Sequence, residues 1–196
     1  PSIVTYYFLI SDLQTIKYNL INPDEIRTAY LTFSKKFSDH PYTSLIKDML
    51  QGLETIKVGG KFIDFELPDL KGNMYKLSDV IKNKVALIDL WASWCGPCIE
   101  TSRSMIPVYE EFKDKGFTIC AVAAEIKNTD QMKERIEKER FPWINLVDLD
   151  HQNHIWDKYG ISNSGGGTFL VDKDGTILAI GPDAEEVKRI LTEKFK

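Results

Sequence analysis

The sequence predicts an α/β fold, namely a three-layer α/β/α sandwich around a central mixed sheet, with a helical extension on its N-terminal side. From residue 61 onward, short apolar runs typical of strands alternate with amphipathic segments typical of helices, which is the pattern of α/β proteins. Before that point, apolar residues recur at every third or fourth position, as on one face of a helix. We therefore divide the chain into a helical extension, residues 1–57, and an α/β domain, residues 58–196.

The helical extension contains two segments whose start signals are typical of helices. Asn22 is placed to cap the first segment, and Pro23 occupies its first helical position with acidic residues directly behind it. Pro41 lies near the start of the second segment, which carries a continuous apolar stripe. The Val-Gly-Gly sequence at residues 58–60 interrupts the helical pattern, so we place the domain boundary there.

Turn and helix-end signals separate the elements of the α/β domain. A turn containing Gly and Asn divides the first two strands, Gly116 ends the longest helix, and an Asp-Gly turn divides the last two strands. Strands are predicted at residues 61–67, 74–77, 85–91, 117–124 and 143–148 and in a hairpin over 168–180, and helices at 77–83, 98–116, 128–140, 152–160 and 183–195.

Composition excludes several classes of function. The 196 residues are 43% hydrophobic and 28% charged, as in ordinary globular proteins, and the net charge of −4 argues against a nucleic-acid partner. No apolar run approaches the roughly 18–20 residues that a membrane span needs. Because the chain begins with Pro1 rather than Met, we expect a mature or trimmed form from which a targeting segment has been removed.

The three cysteines form one close pair and one single residue. Cys95 and Cys98 are separated by Gly96 and Pro97, whereas Cys120 lies in an apolar run typical of a buried strand. A disulfide-stapled secreted scaffold usually has more cysteines, in even number. We therefore expect a redox or metal-binding pair, with Cys120 as an inert thiol of the core.

Residues 85–98 (VALIDLWASWCGPC) comprise the pair and the apolar strand before it, and this arrangement predicts redox chemistry. The two-residue spacing lets both sulfurs meet in the first turn of a helix, where unpaired N–H groups and the helix dipole stabilise a Cys95 thiolate. Cys98 lies one turn further in and needs a base. Asp89 lies on the apolar strand that leads to the pair, and burial would raise its pKa until it can accept a proton near neutral pH.

The segment WASWCGPC, between an apolar strand and a helix, resembles the signature of the thioredoxin superfamily. The segments DFELPDLKGNMYKLSDV and YGI…TFLVDKDG, with the insert after AVAAE, resemble the TlpA/ResA-like branch of membrane-associated thiol–disulfide oxidoreductases. The resemblance covers about residues 61–196, and the helical extension is similar to one that precedes this domain in Bacteroidetes relatives.

This resemblance implies a thioredoxin-like fold and a thiol–disulfide oxidoreductase. Cys95 would attack a substrate disulfide, Cys98 would resolve the mixed disulfide, and Asp89 would accept the proton from Cys98. Trp94 would border the substrate surface, and Pro97 would help to keep the pair reducing. The implied partners are a protein disulfide substrate and an upstream thiol reductant. No cofactor other than the Cys95–Cys98 disulfide, and no metal, is expected. The implied location is the cell envelope or periplasm, with a membrane anchor in the full-length protein.

The chain departs from the family pattern in the loop that normally carries a cis-proline facing the cysteines. No proline occurs in Ser162–Val171, and Gly166 stands closest to the position. A cis bond without proline costs roughly 3 kcal/mol, so we expect none at Gly166. We interpret Gly165, Gly166, Gly167 and Thr168 as a modified substrate-docking loop.

A second departure lies in the helix after the pair. Relatives usually carry a kinking proline five residues after the second cysteine, where this chain has Arg103, and the nearest proline is Pro107. Either the kink moves or the helix begins again at Pro107. We expect Arg103 on a solvated helix face.

Three alternatives remain open from the sequence. Zinc could use the two cysteines of the pair with His151 and His154, although these histidines lie outside the usual finger spacing. A peroxiredoxin-like peroxidase would need a proline and a Thr or Ser at fixed positions before its cysteine, and the proline is missing here. The third alternative is a non-catalytic interaction module with a vestigial thioredoxin fold.

Overall fold

The computed structural model describes residues 2–14, 22–161 and 165–196. A short 3₁₀ turn, Lys113–Lys115, follows the fifth helix. The helices are α1 (Ile3–Gln14), α2 (Pro23–Lys36), α3 (Pro41–Thr55), α4 (Leu77–Val80), α5 (Gly96–Phe112), α6 (Asp130–Glu139), α7 (Ile155–Lys158) and α8 (Ala184–Lys194). The strands are β1 (Glu66–Pro68), β2 (Met74–Lys76), β3 (Val85–Trp91), β4 (Phe117–Glu125), β5 (Ile144–Leu149), β6 (Gly167–Val171) and β7 (Ile177–Ile180).

The central sheet is mixed and has the strand order β5-β4-β3-β6-β7. Strands β3, β4 and β5 are parallel neighbours, because a helical crossover connects each to the next. Strands β6 and β7 form an antiparallel hairpin, and β6 pairs antiparallel with β3. Every residue of β3 and β4 is buried, so both faces of the centre of the sheet are covered. The predicted α/β fold with a central mixed sheet is confirmed.

The first predicted strand is shorter than the apolar pattern indicated. Only Glu66–Pro68 pairs with β2, across a turn in which the Asp69 carboxylate accepts the N–H groups of Lys71 and Asn73. Residues 61–65 are bonded to different elements instead: Phe62 N–H donates to the Gly175 carbonyl, and the Phe65 carbonyl accepts from Leu77 N–H. The backbone groups of this segment therefore form single hydrogen bonds to separate elements, and they form no continuous strand pairing.

The N-terminal helices α1, α2 and α3 pack around a hydrophobic cluster of their own. Tyr6 is fully buried in it, stacks on Phe33 with ring centroids 4.9 Å apart, and donates its hydroxyl to Thr43 Oγ1 at 2.7 Å. The larger cluster of buried residues runs from Ile63 to Leu191 and fills both sides of the central sheet. The boundary between residues 57 and 58 stays a prediction, which these two separate clusters support.

Helix α1 is the most apolar of the N-terminal helices. Val4, Tyr7 and Phe8 are each more than half exposed on it, but the helix is only 12 residues long. Within the three stretches that the structure describes, no helix combines the length and the apolar character that crossing a membrane requires.

Helix α3 joins the helical extension to the α/β domain by packing on α7. Gly52 makes the close approach possible, because a Cβ built on it would lie 2.3 Å from the Lys158 carbonyl oxygen. The same contact carries an ion pair, with Asp48 Oδ2 3.6 Å from Lys158 Nζ. The glycine that weakens the helical propensity of α3 is therefore what lets the two parts of the chain meet.

We expect Gly52→Ala to lower the free energy of unfolding. Inside a helix, replacing glycine by alanine normally raises the free energy of unfolding by about 1 kcal/mol. Here, however, the added methyl group meets backbone atoms that cannot rotate away. Overpacking of this kind costs about 1–3 kcal/mol, so the net effect should be destabilising. Urea unfolding would measure it, with Gln51→Ala on the exposed face of α3 as the matched control. A Gly52→Ala protein as stable as the control would contradict this packing.

Candidate active site

The Cys95–Cys98 pair lies just after the end of β3, at the N-terminus of α5. The two cysteines form a disulfide with their Cα atoms 5.3 Å apart. Cys95 occupies the N-cap position, and its sulfur accepts a hydrogen bond from Cys98 N–H at 3.3 Å. The helix N-terminus therefore directs an otherwise unpaired amide at the Cys95 sulfur, as the sequence predicted.

The glycine loop meets the disulfide because it leads into β6, which pairs directly with β3. Gly166 N–H donates to Cys98 Sγ at 3.2 Å, although the two residues are 68 positions apart. A Cβ on Gly166 would lie 1.9 Å from the Leu90 carbonyl oxygen and 2.9 Å from Cys98 Sγ, so the approach requires glycine. Among the described residues every peptide bond is trans, Gly166 included. Residues 162–164, which precede the predicted docking loop, lie outside the described residues.

Asp89 lies at the centre of β3 with only 3% of its surface exposed. Its Oδ2 accepts the Ser102 hydroxyl at 2.6 Å, and that hydroxyl is also 3.0 Å from the Cys98 carbonyl oxygen. Burial raises the pKa of Asp89 to about 6, and the hydrogen bond from Ser102 offsets part of that rise. The buried acid is thus tied to the turn of α5 that carries Cys98.

Ser102 was not among the site residues predicted from the sequence. The available signal was its position four residues after Cys98, which places it one turn along α5 on the side that faces β3. A small hydroxyl there gives the buried Asp89 carboxyl its hydrogen-bonding partner.

A second buried acid fixes the loop before the cysteines and was also missed. Glu125 ends β4, and its two carboxylate oxygens accept Ser93 N–H and the Ser93 hydroxyl, each at 2.7 Å. Both residues are less than 5% exposed. The signal in the sequence was an acid at the end of a wholly apolar strand, next to the strand that leads to the pair.

A groove of about 540 Å³ opens beside the disulfide. Pro97 and Pro182 line it, as do the predicted docking-loop residues Gly165, Gly166, Gly167 and Thr168. Trp94 lies at its edge with 48% of its surface exposed and its ring 6.0 Å from that of Trp156. Trp91 is completely buried and packs edge-on against Phe141. The structure therefore gathers the predicted site residues around one opening.

Helix α5 is continuous through Pro107, so of the two alternatives the one in which the helix begins again there is wrong. Proline has no N–H and leaves the carbonyl of Arg103, one turn earlier, without its helical donor. The Arg103 side chain is half exposed and bridges two helices, since Nε binds Glu139 Oε2 at 2.9 Å and Nη1 binds Glu100 Oε1 at 2.7 Å. Arg103 thus lies on an exposed helix face, as expected, and in addition ties α5 to α6.

The residues proposed for zinc do not come together. His154 begins α7 and lies 3.6 Å from Asp157, whereas the cysteines are bonded to each other. Within the described ranges, no group of three or more His, Cys, Asp and Glu side chains could hold a metal ion. The zinc interpretation therefore lacks a ligand set.

Cys120 is fully buried in β4, opposite Ile88 of β3. Burial raises the pKa of its thiol to about 12. A neutral thiol without solvent access is a poor nucleophile, which agrees with the inert role expected from the sequence.

A mixed five-stranded sheet that carries a Trp-Cys-Gly-Pro-Cys disulfide at a helix N-terminus defines the class of thioredoxin-fold thiol–disulfide oxidoreductases. The chain belongs to the AhpC/TSA family, whose model matches residues 58–180. It is 33% identical to the thiol-disulfide oxidoreductase ResA of Geobacillus kaustophilus over 139 residues, an alignment that covers 70% of each chain. It is 31% identical over 130 residues to ResA of Bacillus subtilis, covering 66% of this chain and 69% of that one.

Solved structures show the same similarity. The thioredoxin domain of a thiol-disulfide oxidoreductase from Bacteroides vulgatus superposes with a TM-score of 0.64 at 27% identity, covering 72% of this chain and all of that one. The C-terminal domain of a thiol-disulfide oxidoreductase from Bacteroides thetaiotaomicron superposes with a TM-score of 0.63 at 26% identity. That superposition covers 71% of this chain and 97% of that one. The chain is therefore an enzyme of this class, of the TlpA/ResA-like type, and the interpretation as a non-catalytic module is wrong.

Proposed function

We propose that this enzyme reduces protein disulfides, with Cys95 as the nucleophile, Cys98 as the resolving thiol and Asp89 as the proton acceptor. The observation that carries the proposal is the arrangement of the pair at the start of α5. Cys95 receives an amide hydrogen bond, and both cysteines border the open groove above a buried carboxyl group whose pKa is about 6.

The reaction has two exchange steps. In the first, the Cys95 thiolate attacks one sulfur of the substrate disulfide, and the other substrate sulfur leaves with the electron pair of the broken S–S bond. In the second, Cys98 gives its proton to the Asp89 carboxylate and attacks Cys95 Sγ. The mixed disulfide breaks, the second substrate sulfur leaves as a thiolate, and the Cys95–Cys98 disulfide forms.

The groove provides the proposed substrate surface. Trp94 supplies an exposed aromatic edge, and Gly165–Thr168 supply a wall with almost no side chains. A protein segment around a disulfide could therefore bring its backbone close to Cys95. An upstream thiol reductant would use the same opening to restore the dithiol.

We further propose that the enzyme works in the cell envelope or periplasm and is membrane-anchored in the full-length protein. The similarity to the ResA proteins and the resemblance to membrane-associated oxidoreductases support this location. The proposed reaction needs no bound cofactor, because the Cys95–Cys98 dithiol itself supplies the two electrons that reduce the substrate and becomes the disulfide.

The reduction potential of the pair tests the direction of the reaction. We expect a value near that of thioredoxin, about −270 mV, rather than that of the oxidant DsbA, about −120 mV. Equilibration in graded thiol–disulfide buffers, followed by tryptophan fluorescence, would measure it, because Trp94 adjoins the pair. Cys95→Ser should abolish the transition. A potential near the oxidant's would reverse the proposed direction.

A further inference from the structure

Each sulfur of the disulfide receives one backbone amide. Cys98 N–H donates to Cys95 Sγ at 3.3 Å, and Gly166 N–H donates to Cys98 Sγ at 3.2 Å. The first of these donors belongs to the helix that carries the pair. The second comes from a distant loop, so its position depends on how that loop meets the sheet.

The charged groups around Cys98 make this second amide important. Asp89 on β3 and Asp183 at the start of α8 line the groove with Cys98, and both are carboxylates when ionised. Among the described residues that line the groove, none is cationic. No positively charged side chain that lines the groove therefore faces a thiolate at Cys98, so the stabilisation available there comes from backbone dipoles and N–H groups.

The position of Gly166 is fixed by close contacts that exclude any side chain. Its backbone lies against the Leu90 carbonyl and the Cys98 sulfur, whereas a Cβ on neighbouring Gly165 would meet nothing within 4 Å. A Cβ on Gly167 would lie 2.5 Å from Ile161 Cδ1, the movable end of a side chain, whereas a Cβ on Gly166 would meet the Leu90 backbone. A proline at the same position would have no N–H to offer.

We propose that the Gly166 N–H group is a catalytic hydrogen-bond donor that stabilises the thiolate form of Cys98. This inference rests on the proposed role of Cys98 as the resolving thiol. A hydrogen bond to a charged acceptor is stronger than one to a neutral acceptor, so this amide favours the thiolate over both the thiol and the disulfide.

The donor acts in both directions of the exchange. When Cys98 resolves the mixed disulfide, its thiolate attacks Cys95 Sγ and the substrate sulfur leaves with the electron pair. When a reductant thiolate attacks Cys95 Sγ instead, the Cys95–Cys98 bond breaks and its electron pair passes to Cys98, which leaves as the thiolate held by Gly166 N–H. A better-stabilised leaving thiolate departs faster.

Exchanging the Gly166 amide for an ester is the sharpest test. Glycolic acid at position 166 replaces only N–H by oxygen and adds no Cβ. In a Cys95→Ser background, the ultraviolet absorbance of the Cys98 thiolate would be followed against pH. We expect about tenfold less thiolate at a given pH below the pKa, as the loss of a hydrogen bond to a charged group implies. Gly165→Ala, which keeps the Gly166 N–H, should leave this titration unchanged.

Gly166→Ala provides a second, genetically simple variant. It retains the N–H, but its methyl group must push the loop away from Leu90 and Cys98, so the titration should move in the same direction. Circular dichroism would show that the loop variants are folded. If the ester leaves the Cys98 titration unchanged, the proposal is overturned and Gly166 is only a packing residue. The proposed function is tested separately, by the reduction potential of the unmodified enzyme.

Discussion

Cys98→Ser is expected to stop the enzyme on its substrate as a stable mixed disulfide through Cys95. The variant keeps the nucleophile at the N-cap of α5 but has no thiol to resolve the intermediate. Turnover should fall to the background rate, because serine does not exchange with a disulfide. Incubation with a disulfide-bonded protein, followed by non-reducing electrophoresis and mass spectrometry, would detect the adduct.

Cys95→Ser is the matched control, since it removes the nucleophile and leaves Cys98 in place. It should lose turnover as completely and form no comparable adduct, because Cys98 lies within the first turn of α5 and lacks the N-cap position at which Cys95 Sγ accepts the Cys98 N–H group. Adduct formation through Cys98 in this variant would show that the two roles are exchanged. If either variant turned over substrate as fast as the wild type, the two-cysteine mechanism would be wrong.

Asp89→Asn should slow the resolving step by about a hundredfold, within the range of general acid–base catalysis. Burial raises the pKa of Asp89 to about 6, so the carboxylate that accepts the proton is present above that pH and is lost below it. The wild-type rate of intermediate breakdown should therefore rise as the pH passes through about 6, and the Asn variant should lack this rise. Rapid-quench measurements of the mixed disulfide across this pH range would test it.

The same substitution should stabilise the protein at neutral pH. A folded-state pKa of about 6, against about 3.9 in the unfolded chain, means that the folded state binds the proton more tightly. The resulting stability is fully present below about pH 4 and is lost as the pH rises through about 6. Because asparagine carries no charge to bury, Asp89→Asn should raise the free energy of unfolding by up to about 3 kcal/mol at pH 7, and by little at pH 4.

Urea unfolding at the two pH values would measure this difference. Asp114→Asn, which removes an exposed carboxylate, is the control and should show no such pH-dependent gain. If Asp89→Asn is destabilising at pH 7, the buried carboxylate stabilises the fold and the proposed proton acceptor is instead a structural acid. A gain in stability together with a loss of resolving rate would show that burial of Asp89 serves function at the expense of stability.

The redox pair and its acid could be found from the sequence because they depend on local geometry. A buried strand that ends just before a Cys-Gly-Pro-Cys segment and a helix places Cys95 at the helix N-terminus whatever the rest of the chain does. Asp89 lies on that same strand, and the apolar residues on both sides of it already indicated burial. The mixed sheet followed from the alternation of strands and helices.

The groups that complete the site could not be found in this way. Gly166 reaches Cys98 across 68 residues, and Glu125 reaches Ser93 across 32, so only the pairing of β3 with β4 and β6 brings them together. The sequence showed a missing proline at the glycine loop but not the N–H that points at the sulfur in its place.

Side-chain partners on neighbouring helices were equally out of reach. Arg103 was correctly predicted on a solvated helix face, but its partner Glu139 could not be, because it lies on another helix, 36 residues away. The sequence analysis made no prediction for Gly52, whose missing side chain lets α3 pack on α7. The sequence by itself determined where Cys95, Cys98 and Asp89 lie along β3 and α5, since short spacings along a strand and a helix fix their geometry. Only the tertiary structure decided which distant backbone and side-chain groups contact them, because those contacts exist only after the sheet has closed and the helices have packed.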